Sequence, residues 1–328
     1  MGSSPAADRV HASERRPRRR AVRGFGSVTL VGVVVILVIA SSILALRPDL
    51  RRALTYRFES HTDSPSAVEF EPFLATDPPM LRLAAAGDVG TGGTEEFATA
   101  AAMDDLEADA DYDALLLLGD NVYPDGAPSD VARVVLGPFS GVLDGRTQLL
   151  AVLGNHDIRN DNGERQAEAL GMPNRWYSTE IGNTLVLSLD SNQPNDPDQL
   201  TWLAETLSAS SATWKIAMLH HPPYSGGYHG SDIQVRHAFA PLFERHGVQL
   251  VLAGHDHDYQ RSEPLEGVTY VVSGGAARLR PARKAAFSAV AWSTYHFIDI
   301  AIWTDRLELR AVDQSGAVFD SITLHATT

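Results

Sequence analysis

Asp88, Asp120, Asn155, His220, His255 and His257 combine hard oxygens with imidazole nitrogens. They fall in five short clusters that read GDVG, GDNVY, GNHD, HHPPYS and GHDHDYQR. A donor set without sulfur suits iron, manganese, zinc or related ions and is too rich in nitrogen for a calcium cage. Six such side chains exceed the needs of one tetrahedral ion and suit two ions that share a carboxylate. Two ions about 3.5–4 Å apart can bind a phosphoryl group, generate hydroxide at moderate pH and stabilise both attacking and leaving oxygens. Glycines precede Asp88, Asp120, Asn155 and His255, which lets the chain turn sharply and bring these side chains close to a metal. His221 adjoins His220 and stays open as the alternative ligand.

These clusters need a scaffold that delivers them to one place. Continuous apolar runs at 81–86, 114–118, 147–153, 184–189, 214–219 and 249–253 suit strands covered on both faces. Stretches 95–109, 128–136, 197–209 and 233–246 carry helical spacing, with Leu200, Leu203 and Leu207 forming one apolar stripe. Beyond residue 267, strands are predicted at 268–273, 295–302, 306–312 and 317–324. The fold class is therefore α/β, with sheets sandwiched by helices. Nearly every polar cluster follows a predicted strand, and in such folds loops beyond the carboxyl ends of strands converge on ligand sites.

In this order the five blocks resemble the calcineurin-like metallophosphoesterases, and more narrowly the purple acid phosphatases. The wider superfamily opens with D-x-H, but here the block is Asp88-Val89-Gly90. The second block, Gly119-Asp120-Asn121-Val122-Tyr123, matches the G-D-x-x-Y of purple acid phosphatases, where the tyrosine binds ferric iron. The match runs from about Leu81 to Arg261 and lacks the extra N-terminal β domain of the large plant enzymes. The small, single-domain, tartrate-resistant acid phosphatase-like branch is therefore the nearer likeness.

The resemblance implies a β-sandwich of two mixed sheets flanked by α-helices. It implies a binuclear centre, Fe(III) with a divalent iron, zinc or manganese. Asp88, Tyr123 and His257 would bind the ferric ion, Asp120 would bridge, and Asn155, His220 and His255 would hold the second ion. His156 would reach the substrate phosphate and protonate the leaving group. His229, nine residues after His220, matches a further active-site histidine by spacing. Where the family has Tyr, this chain has His221. Asp157 and Asp258 lie inside the motifs and are expected to orient neighbouring histidines.

Charge is divided unevenly. Residues 1–52 carry ten Arg against Asp8, Glu14 and Asp49, a balance of +7, which leaves 17 basic and 38 acidic side chains, or −21, in the rest. A domain so acidic repels a nucleic-acid backbone, so no nucleic-acid partner is expected. The absence of cysteine excludes disulfides, thiolate ligands and a cysteine nucleophile.

From Val28 to Leu46 run 19 residues without charge, about 28 Å as a helix and close to the hydrocarbon thickness of a bilayer. Arg15, Arg16, Arg18, Arg19, Arg20 and Arg23 precede it, whereas Arg47, Arg51 and Arg52 follow. The positive-inside rule places the N-terminus in the cytoplasm and the rest of the chain outside. Expected boundaries are a basic cytoplasmic tail at 1–23, one transmembrane signal-anchor helix at 24–46, a linker at 47–79 and the catalytic domain at 80–328. A cleaved signal peptide, giving a secreted protein, is the alternative.

The function expected is hydrolysis of small phosphomonoesters by in-line attack of a metal-bound hydroxide, with a histidine supplying the leaving-group proton. A phosphodiesterase acting on nucleotide or phospholipid headgroups uses the same ligands and stays open. A non-catalytic surface domain that binds phosphate or a partner is the third reading.

Overall fold

The computed structural model describes residues 33, 47–68, 77–107 and 111–326. Except for Val33, the tail at 1–23 and the apolar segment 24–46 expected to cross the membrane lie outside the described residues. Among the described residues no helix is long and apolar enough to cross a membrane.

In chain order the elements are α1 (Pro48–Glu59), β1 (Leu81–Ala86), α2 (Thr94–Glu107), β2 (Ala114–Leu117), β3 (Gln148–Ala151), α3 (Glu164–Ala169), β4 (Tyr177–Ile181) and β5 (Thr184–Ser188). There follow α4 (Pro197–Ala209), β6 (Trp214–Leu219), α5 (Ile233–His246), β7 (Leu250–Ala253), β8 (Tyr259–Ser262) and β9 (Thr269–Ser273). The chain closes with β10 (Ser288–Trp292), β11 (His296–Ile302), β12 (Arg306–Asp313) and β13 (Val318–His325).

Two mixed sheets result. One has the order β13-β12-β11-β1-β2-β3, and the other β10-β8-β9-β7-β6-β5-β4. In the first, β1, β2 and β3 run parallel while β11 to β13 are antiparallel additions; in the second, β5, β6, β7 and β9 run parallel.

Alternation along the strands separates the core into layers. Leu83 and Ala85 of β1, Leu116 of β2, Ile216 and Met218 of β6 and Leu252 of β7 meet in one cluster between the sheets. Their neighbours Ala84, Ala86, Leu115 and Leu117 point the other way and pack with Ala100 and Met103 of α2. On the second sheet Leu187, Ala217 and Leu219 pack with Leu203 and Leu207 of α4 and Phe239 and Phe243 of α5. Each parallel strand is thus buried on both faces, which explains its continuous apolar sequence.

Helix ends follow local chemistry. Asp196 and Asp232 cap α4 and α5, each accepting two backbone N–H bonds. Gly247 ends α5 in the left-handed conformation. Stretch 128–136, expected as a helix, is instead a 3-10 turn at Pro128–Asp130 followed by a π turn at Ala132–Leu136. Val131, Val134 and Val135 are buried in these turns, so packing rather than helical propensity sets their shape.

Part of the segment expected as a spacer is bound to the domain. The Tyr56 hydroxyl donates to the Pro281 carbonyl at 2.6 Å, and Glu59 pairs with Arg283 at 3.1 Å. His61 and Ala282 exchange two backbone hydrogen bonds of 2.8 Å each. These anchors lie more than 200 positions away in sequence, so no local periodicity announces them.

Candidate metal centre

β1, β2, β3, β6 and β7 all end at one rim, and each is followed by one polar cluster. The turn out of three of these strands is strained. Asp88, Asp120 and His255 adopt positive φ angles of 58°, 52° and 73°. Side chains other than glycine rarely sit there, and such strain persists only where surrounding structure demands it. Two glycines show why. A Cβ on Gly119 would lie 2.6 Å from His220 Nδ1, at a φ of 88°, and one on Gly254 would lie 2.6 Å from Asp88 Oδ2. Backbone is packed directly against the donors, leaving no room for a methyl group.

The donors converge. Tyr123 Oη lies 2.9 Å from Asp88 Oδ1 and 3.2 Å from His257 Nε2, and His257 Nε2 lies 3.3 Å from Asp88 Oδ1. His220 Nε2 lies 3.4 Å from Asp120 Oδ1, 3.2 Å from Asn155 Oδ1 and 3.2 Å from His255 Nδ1. Asp88, Asp120 and His220 form one candidate ligand group and His220, His221 and His255 another. Donors bound at about 2.1 Å around an octahedral cation are separated by roughly 3 Å, the spacing seen here. The seven predicted ligands therefore lie together.

Register around His220 follows from its hydrogen bonds. His220 Nδ1 faces the Leu118 carbonyl at 2.9 Å, so it carries the proton and Nε2 turns its lone pair to the cluster. Its neighbour His221 holds Nδ1 2.9 Å from Ser191 Oγ, and its ring stands 4.6 Å from that of His255. His220 is fully buried. His221 is half-buried and offers a donor to the same group as His220 and His255.

Electrostatics describe a site built for cations. Burial opposes the charged form of His220, but the Asp120 and Asp88 carboxylates raise its pKa overall. Burial, then the charges of His220, His221, His229 and His257, drives His255 strongly down. His221 falls to about 3, from burial and His220. Burial pushes Asp88 up, yet the hydrogen bond and charge of His257 bring it below the usual carboxylate value. Tyr123 is pushed far up by burial and by Asp88 and Asp120. A bound cation reverses the penalty on Tyr123 and keeps the imidazoles unprotonated, so the donor chemistry fits a metal pair.

Two histidines flank this group. The His156 ring stands 4.6 Å from that of Tyr123, with Nδ1 2.6 Å from the Pro124 carbonyl and Nε2 3.9 Å from Asp120 Oδ2. The His229 ring lies 4.1 Å from that of His255. The backbone N–H of His229 donates to Asp256 Oδ1 at 2.6 Å, and Asp256 also accepts from Gly230 N and from the Ser225 hydroxyl.

The supporting carboxylates act differently from the expectation. Among the described residues Asp157 hydrogen-bonds no histidine. It accepts from the backbone N–H groups of Asn121, Val122 and Gly154 and from Gln166 Nε2, tying the β2 and β3 loops together. Burial and the Asp120 charge raise its pKa to about 6. Asp258 accepts from Gln260 Nε2 rather than orienting a histidine, and burial with the Asp256 charge pushes it well up. The backbone donors to Asp157 carry no side-chain signature, so the sequence held no sign of them.

Ser191, outside the five clusters, and Asp256, inside the last of them, are further supporting residues whose roles the motifs did not give. Ser191 Oγ accepts from the backbone N–H groups of both His220 and His221 at 3.2 and 2.9 Å. Ser191 follows β5, whose end shares the rim; strand order was the signal that would have found it.

The sequence profile of the calcineurin-like phosphoesterases matches residues 81–259. Human tartrate-resistant acid phosphatase type 5 is 26% identical over 63% of this chain and 76% of its own length. Purple acid phosphatase 3 of Arabidopsis thaliana is 27% identical over 58% of this chain, which spans 62% of that enzyme. Among solved structures, GAP50, the anchor in the inner membrane complex of Plasmodium, superposes with a TM-score of 0.67 at 18% identity. The match covers 76% of this chain and 89% of that one. The profile covers more than half of the sequence and spans every cluster that forms the rim, and so the chain belongs to the calcineurin-like phosphoesterase family.

Proposed function

We propose that this protein hydrolyses phosphomonoesters at a binuclear metal centre, in the manner of the purple acid phosphatases it resembles. The observation that carries the reading is the position of Tyr123, whose hydroxyl stands between Asp88 and His257 inside the donor cluster. A phenol is a poor donor to most divalent ions and a good one to ferric iron. Asp88, Tyr123 and His257 would hold that ion, Asp120 would be shared, and Asn155, His220 and His255 would hold a divalent partner. When bound, the two ions supply cationic charge for the phosphoryl group and acidify water for attack.

The chain's own groups do the rest. His156 bonds the Pro124 carbonyl through Nδ1, and its Nε2, held by Arg159 Nη2 at 3.2 Å, would turn to the leaving oxygen as proton donor. His229, fixed through its backbone by Asp256 and stacked on His255, stands at the other side of the cluster. Ser191 and Asp157 hold the loops so that donors need little reorganisation.

The test is a spectrum. The full chain loaded with iron should show a visible tyrosinate-to-iron charge-transfer band and hydrolyse aryl phosphate faster than bis-aryl phosphate. The band should vanish in Tyr123→Phe. A colourless, fully loaded and active protein would overturn the ferric assignment, and faster diester cleavage would favour the phosphodiesterase.

We further propose that the domain is anchored outside the cytoplasm by residues 24–46. Support comes from the uncharged run Val28–Leu46 and the six arginines just before it. Retention of the intact chain in washed membranes, with the C-terminus cleavable by protease added outside the cells, checks this; release into the medium would indicate signal cleavage.

A further inference from the structure

The domain from residue 53 onward carries −21 in formal charge, yet the substrate proposed for it is an anion. Around the mouth of the donor cluster the sign changes. The Arg278 guanidinium stands 4.6 Å from the centre of the Tyr123 ring, on the residue proposed as the ferric ligand. Arg280 stacks 4.1 Å from the centre of the Tyr228 ring, and its backbone N–H donates to the His257 carbonyl at 2.8 Å. Arg159 donates to the Pro124 carbonyl at 3.1 Å, with its other Nη 3.2 Å from His156 Nε2.

These three differ from most arginines of the domain. Arg175, Arg261, Arg283 and Arg306 each pair with a carboxylate at 3.1 Å or less. Among the described residues, none of Arg159, Arg278 and Arg280 has a carboxylate within 4.0 Å. Their partners are aromatic faces and carbonyl oxygens, which hold a guanidinium in place without neutralising it.

The platform beneath Arg280 is itself braced. Tyr228 stands edge-on to the Tyr56 ring at 5.5 Å and to the His229 ring at 4.9 Å. Tyr56 bonds the Pro281 carbonyl, and Arg283 bonds the Gly226 carbonyl at 2.8 Å. The segment upstream of the family match thus clamps the two loops that present Arg278, Arg280 and His229.

We propose that Arg159, Arg278 and Arg280 form an anion-binding collar that selects phosphate monoesters bearing a second phosphate a few bonds from the scissile one. This deepens the phosphatase reading and rests on it. The ions take the scissile phosphoryl group, and the collar takes the second dianion through charge-assisted, planar contacts that arginine makes with phosphate. It also focuses an attractive field at the mouth of an otherwise repulsive domain. Tyr56 and Tyr228 are positioning residues for Arg280.

The experiment titrates the metal-loaded full chain, by calorimetry, with propane-1,3-bisphosphonate and with propylphosphonate. Neither is hydrolysed, and the three-carbon spacer keeps the second group off the ions. The bisphosphonate should bind at least about tenfold more tightly, the order expected of one or two charged hydrogen bonds. Arg278→Gln and Arg280→Gln should each reduce that ratio about three- to tenfold, and Arg280→Lys should restore part of it. In turnover, kcat/KM for a sugar bisphosphate relative to its monophosphate should fall in parallel, chiefly through KM. Tyr56→Ala should reduce the ratio less, with Tyr56→Phe intermediate. Equal affinity for the two phosphonates, or a ratio unchanged in the variants, overturns the collar while leaving the phosphatase intact. Failure to bind either phosphonate, with no ester hydrolysed, overturns both.

Discussion

Two clusters of buried charge share strand β1 and solve the same problem in opposite ways. On β1, β11 and β12, Arg82 Nε bonds Asp299 Oδ1 at 2.8 Å, and Arg310 Nη1 bonds Asp299 Oδ2 at 3.3 Å. Asp299 faces Arg310 directly across the ladder, and Arg82 lies diagonal to it, also reaching the Leu106 carbonyl. Every charge there finds its counter-ion within the fold. At the end of the same β1 strand, Asp88 and Asp120 meet His220, His255, His257 and Tyr123 without an arginine or lysine inside the cluster. Buried charge is costly unless paired. The first cluster is paired by arginines of the chain, whereas the second gathers carboxylates and imidazoles that the proposed cations would complete. A structural ion network and a metal site therefore differ in whether the positive charge is covalently part of the chain.

Removing a carboxylate from each cluster should break that comparison most visibly. Asp120→Asn weakens the donor proposed to be shared, and kcat/KM for an aryl phosphate should fall by at least about a thousandfold, several kcal/mol of barrier. Elemental analysis should show metal lost alongside, and retention of both metal and turnover would remove Asp120 from the centre.

Asp299→Ala leaves two arginines without their buried partner and should destabilise the fold by about 3–5 kcal/mol in denaturant titration. The protein that remains folded should keep its metal content.

Acid sharpens the contrast further. His296 is buried between Ser273 Oγ and the Thr294 carbonyl, and burial lowers its pKa to about 4. It stays neutral in the fold while the unfolded chain takes a proton near pH 6.5. Its contribution is therefore present above pH 6.5 and lost as pH falls toward 4, about 2 kcal/mol by pH 5. His221, lowered to about 3, adds loss of the same sign in metal-free protein. Melting temperature should drop between pH 7 and 5, and more steeply with metal bound than after chelation, because ligating imidazoles stay unprotonated in the fold while those of the unfolded chain take up protons. An identical pH slope in both forms would argue against imidazole ligands.

A smaller effect is expected at Ser191→Ala, which removes the acceptor shared by two histidine N–H groups. Stability should fall by about 1–3 kcal/mol and metal should bind less tightly. The smallest is at the surface. Arg146 and Asp111 pair at 2.6 Å with both side chains largely exposed, so Asp111→Asn should cost under about 1 kcal/mol, and less in salt.

Much of this was legible in order along the chain. The runs at 81–86, 214–219, 197–209 and 233–246 coincide with β1, β6, α4 and α5 because double-sided burial and helical stripes leave direct marks on residue type. The strands β4, β8 and β10 were not legible. The half-exposed edge strand β4 tolerates polar residues, as YSTEI shows, whereas YQRS of β8 lies between β10 and β9 and is polar because Arg261 and Gln260 pair with Asp320 and Asp258. The short α3 and the docked α1 also left no pattern, since one is six residues long and the other is held by contacts far away in sequence.

Donor types and their placement after strands are properties of the sequence by itself, because sulfur-free oxygen and nitrogen ligands admit few ions and glycine marks where backbone must press close. Which atom of each donor faces inward was decided only by tertiary structure. Leu118, a residue with no side-chain chemistry, sets the His220 tautomer through its carbonyl. Asp157 joins two loops through backbone N–H groups that every sequence possesses. Arg159, Arg278 and Arg280 read as ordinary charges in a row of letters, and only folding brings the two loops that carry them to the rim of the donor cluster. Sequence records what a side chain can do; only folding settles which neighbours it does it with.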